Sequence, residues 1–428
     1  MKIQNYGGAT AVIEHRGKRF LFDPWMDEGI YHGSWHHFPP LEVRLEEIGK
    51  LDYVYISHIH EDHCSLKTLQ KINLDAEIII MDRKPNYVLN FLKQNQLNFK
   101  TIHLVPEKKR TQIAPGLVVE MLTADPNHEL SYLIDSILIL EWEGKVIFNP
   151  NDTPLYPEAI EYVGKNYPKI ELALLPYSGG SGYPSCYFNL SGEQKAVEAL
   201  RIRNQRTSGF YDAVEILKPK YAMPFADQYV IVGNRAAYNQ YMAHPPSPGA
   251  IRENERYLPL KDKILFLNSG QKFDLDSGTY SPDVPFYEHT VEDRDLYIQN
   301  HSKGVLYDYE KVEFAKSVPF DRMVEFSHNR LWSELERRDY HLDFRFYLDT
   351  GEALVHELDF QRKEVKKVNR SDRKEPYLSL GGSRDLMIMM MLGHISWNIA
   401  DAALFIDYER RPNQYNTIVQ ALINFLRI

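Results

Sequence analysis

Apolar positions in the first half of the chain fall in short runs, and the runs end at Gly, Pro, Asn or Asp. Residues 8–23 read as two short strands around Arg16-Gly17-Lys18, a hairpin that closes at Asp23 and is followed by Pro24-Trp25. The stretches 51–56, 76–81, 101–105, 117–122, 133–142, 145–148 and 172–176 carry the β-branched and aromatic content of strands, with Glu143-Gly144 as a turn. Helical patterns fall at 86–94 and 191–217, and a helix starts within 64–69. Strand and helix alternating over 66–105 suits one layered half of an α/β fold. The stretch 270–285, rich in Gly, Pro, Asp and Ser, reads as a boundary and divides the chain into 1–280 and 287–428. In the second part, 345–348 and 353–358 flank Asp349-Thr350-Gly351 as a hairpin. There 362–374 is highly charged, 385–392 is a Met-dense core helix, and 413–426 is amphipathic, which together give a small α+β domain.

Composition narrows the class. With 428 residues, 43% hydrophobic and 25% charged, the chain has ample core for a large domain or two ordinary ones. A net charge of −9 argues against nucleic acid as the main partner, so an anionic substrate would need a local basic patch. Two distant cysteines, Cys64 and Cys186, indicate no disulfide framework and fit a reducing compartment. The N-terminus lacks a signal-peptide core, and the longest apolar run, 386–392, falls far short of a membrane span. A cytoplasmic protein without membrane partners is expected.

The chemistry concentrates in Ser57-His58-Ile59-His60-Glu61-Asp62-His63, between the strand 51–56 and the helix start. A strand that ends in a turn bearing three imidazoles and a carboxylate converges ligands on one point. His58 and His60, two apart, can grip one ion, while Asp62 and His63 turn toward a second position. Nitrogen and carboxylate oxygen donors suit zinc, iron or manganese.

This H-x-H-x-D-H pattern after an apolar strand resembles the metallo-β-lactamase superfamily. The resemblance implies an α/β fold, a four-layer αββα sandwich with two divalent metal ions at one edge of the sheets. It implies that His128 joins His58 and His60 on the first metal, and that Asp62 and His63 hold the second. Asp152, in Asn149-Pro150-Asn151-Asp152-Thr153, would bridge them, with Asn151 standing where Gly is usual. Asp62 and Asp152 would then also be the catalytic carboxylates. No His follows Pro224, where many members supply a sixth ligand; Asp227 is the nearest substitute and His244 the next. Asp23 is either a residue that orients a ligand His or a turn Asp before Pro.

An ordered set of segments is similar to a narrower family, the CMP-N-acetylneuraminate hydroxylases. It comprises Phe22-Asp23-Pro24-Trp25, the loop 31–40 with Ser34-Trp35, residues 55–63 and 149–152, Gly179-Gly180-Ser181-Gly182-Tyr183-Pro184, and Pro224-Phe225-Ala226. The similarity implies oxygen-dependent hydroxylation of an N-acyl group on a sugar nucleotide at an iron pair, with Trp35, Ser181 and Tyr183 near the substrate. Those enzymes carry a Rieske domain, whose cluster needs two Cys and two His in paired motifs. Neither Cys64 nor Cys186 lies in one, so a separate ferredoxin or reductase is the expected electron donor. Hydrolysis of an amide, ester or phosphoester by a zinc- or iron-held water is the alternative, and it needs no such partner. Dimerisation and closure over substrate are the two roles open to the C-terminal domain.

Overall fold

The computed structural model describes residues 1–125, 134–226, 228–314 and 316–428. Two mixed sheets form its larger part. The first runs, in spatial order, Thr279–Ser281, Lys272–Asp274, Lys2–Gly7, Thr10–His15, Lys18–Phe22, Tyr53–Tyr55, Glu77–Met81 and Thr101–Val105. The second runs Tyr221–Phe225, Leu172–Pro176, Lys145–Asn149, Ser136–Trp142, Leu117–Thr123 and Thr111–Ala114.

Why these strands read as continuous apolar runs is visible in their burial. Ile79 faces the second sheet, in one core with Phe20, Phe22, Tyr55, Met121, Leu138, Leu140, Ile147 and Leu174. Its neighbours Ile78 and Ile80 point the other way, onto Leu69, Val88 and Leu92 of the outer helices. The second sheet repeats the scheme. Leu172 and Leu174 look inward, whereas Ala173 and Leu175 pack with Ala159, Val163, Phe210 and Val214 of the helices Pro157–Asn166 and Gly192–Leu217. A strand buried on both faces needs apolar residues at every position. The layers are therefore helix, sheet, sheet, helix, which is the αββα sandwich.

A third sheet lies C-terminal, in the order Glu364–Asn369, Leu354–Asp359, Arg345–Asp349, Tyr377–Gly381 and Asp407–Arg411. The helices Phe320–Arg337 and Arg384–Met391 cover it, and the Met387, Met390 and Met391 side chains are buried as core. That core does not stop at the sandwich. It runs without a break into Trp25, Tyr31, Trp35, Tyr187 and Tyr229.

Local differences from the sequence reading have physical causes. The charged 362–374 stretch contains the strand Glu364–Asn369, at a sheet edge, where Glu364, Lys366 and Lys367 discourage further pairing. The amphipathic 413–426 stretch forms only the helix Thr417–Leu422 and the 3₁₀ turn Ile423–Phe425. The helix Phe320–Arg337 buries Phe320, Met323, Val324, Ser327, His328, Leu331 and Leu335, a stripe at helical spacing partly obscured in sequence by Ser and His on the same face.

Candidate metal centre

The parallel strands of both sheets end at one edge, and the chemistry gathers there. Tyr53–Tyr55 leads into His58–His63, and Lys145–Asn149 leads into Asp152. The turn before Asp152 needs a left-handed residue, and Asn151 takes that conformation at φ 55. Asn tolerates it better than other residues with a Cβ. Its amide also donates to the Ser136 carbonyl (2.9 Å) and the Tyr55 hydroxyl (3.1 Å), tying the turn to the neighbouring strands of both sheets. That accounts for Asn in the place of Gly.

Asp23, fully buried at the end of the hairpin, plays the orienting part. Its two oxygens accept from the Ser57 backbone N–H (2.7 Å) and from His63 Nδ1 (2.9 Å). His63 Nε2 is thereby aimed inward, 3.0 Å from Asp152 Oδ2 and 3.2 Å from Asp62 Oδ2. His58 Nε2 and His60 Nδ1 face each other at 2.8 Å, and His58 Nδ1 rests on the Ser57 hydroxyl at 2.9 Å. The His58 and His63 rings lie 4.2 Å apart. Asp62 is held from its other side by the Tyr31 hydroxyl, while Glu61 accepts from the Tyr31 backbone N–H at 2.8 Å.

Electrostatics favour positive charge among these side chains. Burial alone would lower the His63 pKa, yet Asp152, Asp62 and Asp23 around one imidazole raise it well above the ordinary histidine value. Burial would likewise raise Asp62, but His63 beside it brings its carboxyl down to about 2. Burial, then the neighbouring His63 and His60, push His58 well below the usual range, which keeps an imidazole lone pair available. Burial raises Asp23 despite His63.

The donor set fits divalent metal ions. His58, His63 and Asp152 offer ligand atoms all within 4.8 Å of one another, and the buried Oδ1 of Asp152 has no protein partner among the described residues. Imidazole nitrogens and carboxylate oxygens crowded together are what a hard or borderline cation takes as ligands.

Of the residues expected from sequence, His58, His60, Asp62, His63 and Asp152 come together. His128 and Asp227 lie outside the described residues. His244 is buried with Nε2 on the Tyr229 carbonyl, 2.8 Å away. Trp35 is core, stacked on Tyr229 and donating its indole N–H to the Ala402 carbonyl; it adjoins Tyr31 at a ring distance of 4.6 Å. Ser181 is exposed and its hydroxyl accepts from the Tyr183 N–H, while Tyr183 donates to Glu198. His37 stacks on Trp25 as packing. Arg201 pairs with Glu198 and Arg203 donates to the Ala243 carbonyl.

Sequence reading missed three groups. Asp135 places Oδ1 3.7 Å from His58 Nε2, the Tyr31 hydroxyl holds Asp62, and Asn398 meets His60 at 2.9 Å. Nothing local marks Asp135 or Asn398, since only tertiary packing brings them near.

Residues 18–199 match the model of the β-lactamase superfamily domain. The chain is 27% identical over 307 residues to the cytidine monophosphate-N-acetylneuraminic acid hydroxylase of Mus musculus, a match covering 64% of this chain and 51% of that protein. It thus spans about half the length of that relative. Among solved structures it is similar to CmlA, a diiron β-hydroxylase from Streptomyces venezuelae (17% identity, TM-score 0.43, 63% of this chain and 53% of that one). It is also similar to Igni18, a metallo hydrolase from Ignicoccus hospitalis (19% identity, TM-score 0.42, 64% and 98%). Residues 18–199 thus carry the likeness to the β-lactamase superfamily domain, and the four-layer sandwich with the cluster at its edge agrees with it.

Proposed function

We propose that the chain is a binuclear metalloenzyme that hydroxylates an N-acyl group of a sugar nucleotide, or of a similar anionic small molecule, with molecular oxygen. The observation that carries this reading is the similarity to a CMP-N-acetylneuraminic acid hydroxylase over 307 residues, well beyond the metal-binding stretch. Its chemical support is the ligand set: Asp62, Asp152 and Asp135 beside three imidazoles make an oxygen-rich shell that suits iron. Iron bound there supplies the redox chemistry. His58, His60 and His128 would hold one ion, Asp62, His63 and Asp227 would hold the other, and Asp152 would serve both.

The chain's own residues keep the centre in order. Asp23 fixes the His63 tautomer, and Tyr31 fixes the Asp62 carboxylate. The reaction balances as R–H, O₂, two electrons and two protons giving R–OH and water. The electrons come from a ferredoxin- or reductase-type partner. In the competing hydrolase reading, the unpartnered Oδ1 of Asp152 accepts the proton of an attacking water.

The test combines metal analysis with isotope labelling. Protein purified without added metal should carry iron, and turnover of an N-acyl sugar nucleotide under ¹⁸O₂ with reductant should place ¹⁸O in the hydroxylated product. Zinc in the centre together with release of free acid bearing oxygen from water would establish the hydrolase instead.

A further inference from the structure

The short helix Trp397–Ala402 of the C-terminal part sits against the metal centre. The exposed side chain of Asn398 brings its amide to 2.9 Å from His60 Nε2. The other ring nitrogen, Nδ1, faces His58 Nε2 at 2.8 Å, and that is the inward side of the ring. His60 is thus held between the cluster on one side and a residue 338 positions away on the other.

The helix is anchored where it stands. Trp35 Nε1 donates to the Ala402 carbonyl and the Ser34 hydroxyl to the Ala403 carbonyl, each at 2.9 Å. Arg235 donates to the Leu404 carbonyl and pairs with Asp407. The Tyr408 N–H donates to the Cys186 carbonyl, and the Phe188 N–H to the Tyr408 carbonyl, each at 2.7 Å. Gly182 makes the close approach possible: a Cβ there would stand 3.0 Å from Asp401 Oδ1. These contacts fix Asn398 by the rim of the first part.

We infer that Asn398 is a positioning residue for the metal centre: it sets the tautomer of His60 and makes metal affinity depend on the docked C-terminal domain. This rests on the reading of the cluster as a metal centre. With a cation on the inward side, Nδ1 must present its lone pair, so Nε2 carries the proton and needs an acceptor. A half-turn of the Asn398 amide offers Oδ1 in place of Nδ2. Without a cation the same amide donates. An amide therefore serves both states, whereas a carboxylate at 398 serves the metal-bound state alone.

The experiment strips metal from the full chain with a chelator and titrates back Co²⁺ against a competing chelator, following the visible bands of bound cobalt. Wild type, Asn398→Leu and Asn398→Asp are compared, and the melting point of each apo-protein reports folding. The expected result is a loss of about 10–100-fold in affinity for at least one cobalt in Asn398→Leu. Asn398→Asp should bind as tightly as wild type or tighter, with all three apo-proteins still melting cooperatively. Wild-type affinity in Asn398→Leu, or equal weakness in Asn398→Asp, overturns the positioning role while leaving the metal centre intact. A wild type that takes up no cobalt overturns the metal centre itself.

Discussion

At the scale of single residues, two kinds of group build the centre, and they differ in how sequence reveals them. His58, His60, Asp62 and His63 sit on one turn, so their spacing alone brings them together. Asp23, Asp135 and Asn398 act from three other places, and a sequence holds no trace of such meetings except through a family pattern. Replacing His60 by Ala should remove at least one equivalent of metal, measured by elemental analysis after dialysis, because no neighbour replaces a lost ligand. Full retention of both equivalents and of activity defeats the assignment. Asn151 offers a test of the backbone beneath the site. Asn151→Gly keeps the left-handed turn and loses the two amide hydrogen bonds; Asn151→Val loses both the bonds and the conformation. A β-branched residue there costs about 1–2 kcal/mol more in backbone strain alone. Denaturant midpoints should therefore fall in the order wild type, Gly, Val, and a Val variant as stable as the Gly one would show that the turn does not need left-handed backbone.

At the scale of elements, strands buried on both faces were the most legible. Runs such as Ile78-Ile79-Ile80 and Leu172 to Leu175 have to be apolar throughout once helices cover both outer faces. The edge strand Glu364–Asn369 was not legible, because its side chains answer to solvent rather than to a core. One element makes a pH-dependent contribution. The strand Tyr229–Ile231 is held by His244, whose Nε2 donates to the Tyr229 carbonyl. Burial, with Arg294 and then Arg203 nearby, lowers the His244 pKa to about 3. Below the ordinary value near 6.5 the unfolded chain takes up a proton at this residue that the folded chain refuses. Stability is therefore lost as pH falls from about 6.5 toward 3, at up to about 1.4 kcal/mol per pH unit. His244→Gln keeps a donor for the Tyr229 carbonyl and removes the titration. Its unfolding free energy should decline less than that of wild type between pH 7 and pH 5, and parallel declines would mean His244 charges freely in the folded state.

At the scale of the whole molecule, the composition break near 270–285 marks where the first sheet closes, yet the hydrophobic core crosses it. Trp25, Tyr31 and Trp35 of the sandwich share that core with Leu348, Leu380, Met387 and Met391 of the C-terminal part. Sequence cannot show this, since an apolar residue looks the same whether it packs within its own layer or against another. Electron supply belongs to this scale as well. The two cysteines are both buried and lie in separate cores, Cys64 under the outer helices of the first sheet and Cys186 in the shared core. They do not form the thiolate cluster that would hold an iron–sulfur centre in these residues. Inserting one oxygen atom consumes two electrons, so a reduced iron pair left without a donor stops after one product. Protein reduced chemically and then freed of reductant should make at most about one product per pair of irons on exposure to oxygen, and an added ferredoxin with its reductase should restore turnover. A hydrolase at the same centre spends no electrons and keeps turning over under argon. Rapid-quench product counts with and without oxygen separate the two: sustained anaerobic release of acid would sink the hydroxylase, and a single oxygen-dependent turnover would sink the hydrolase.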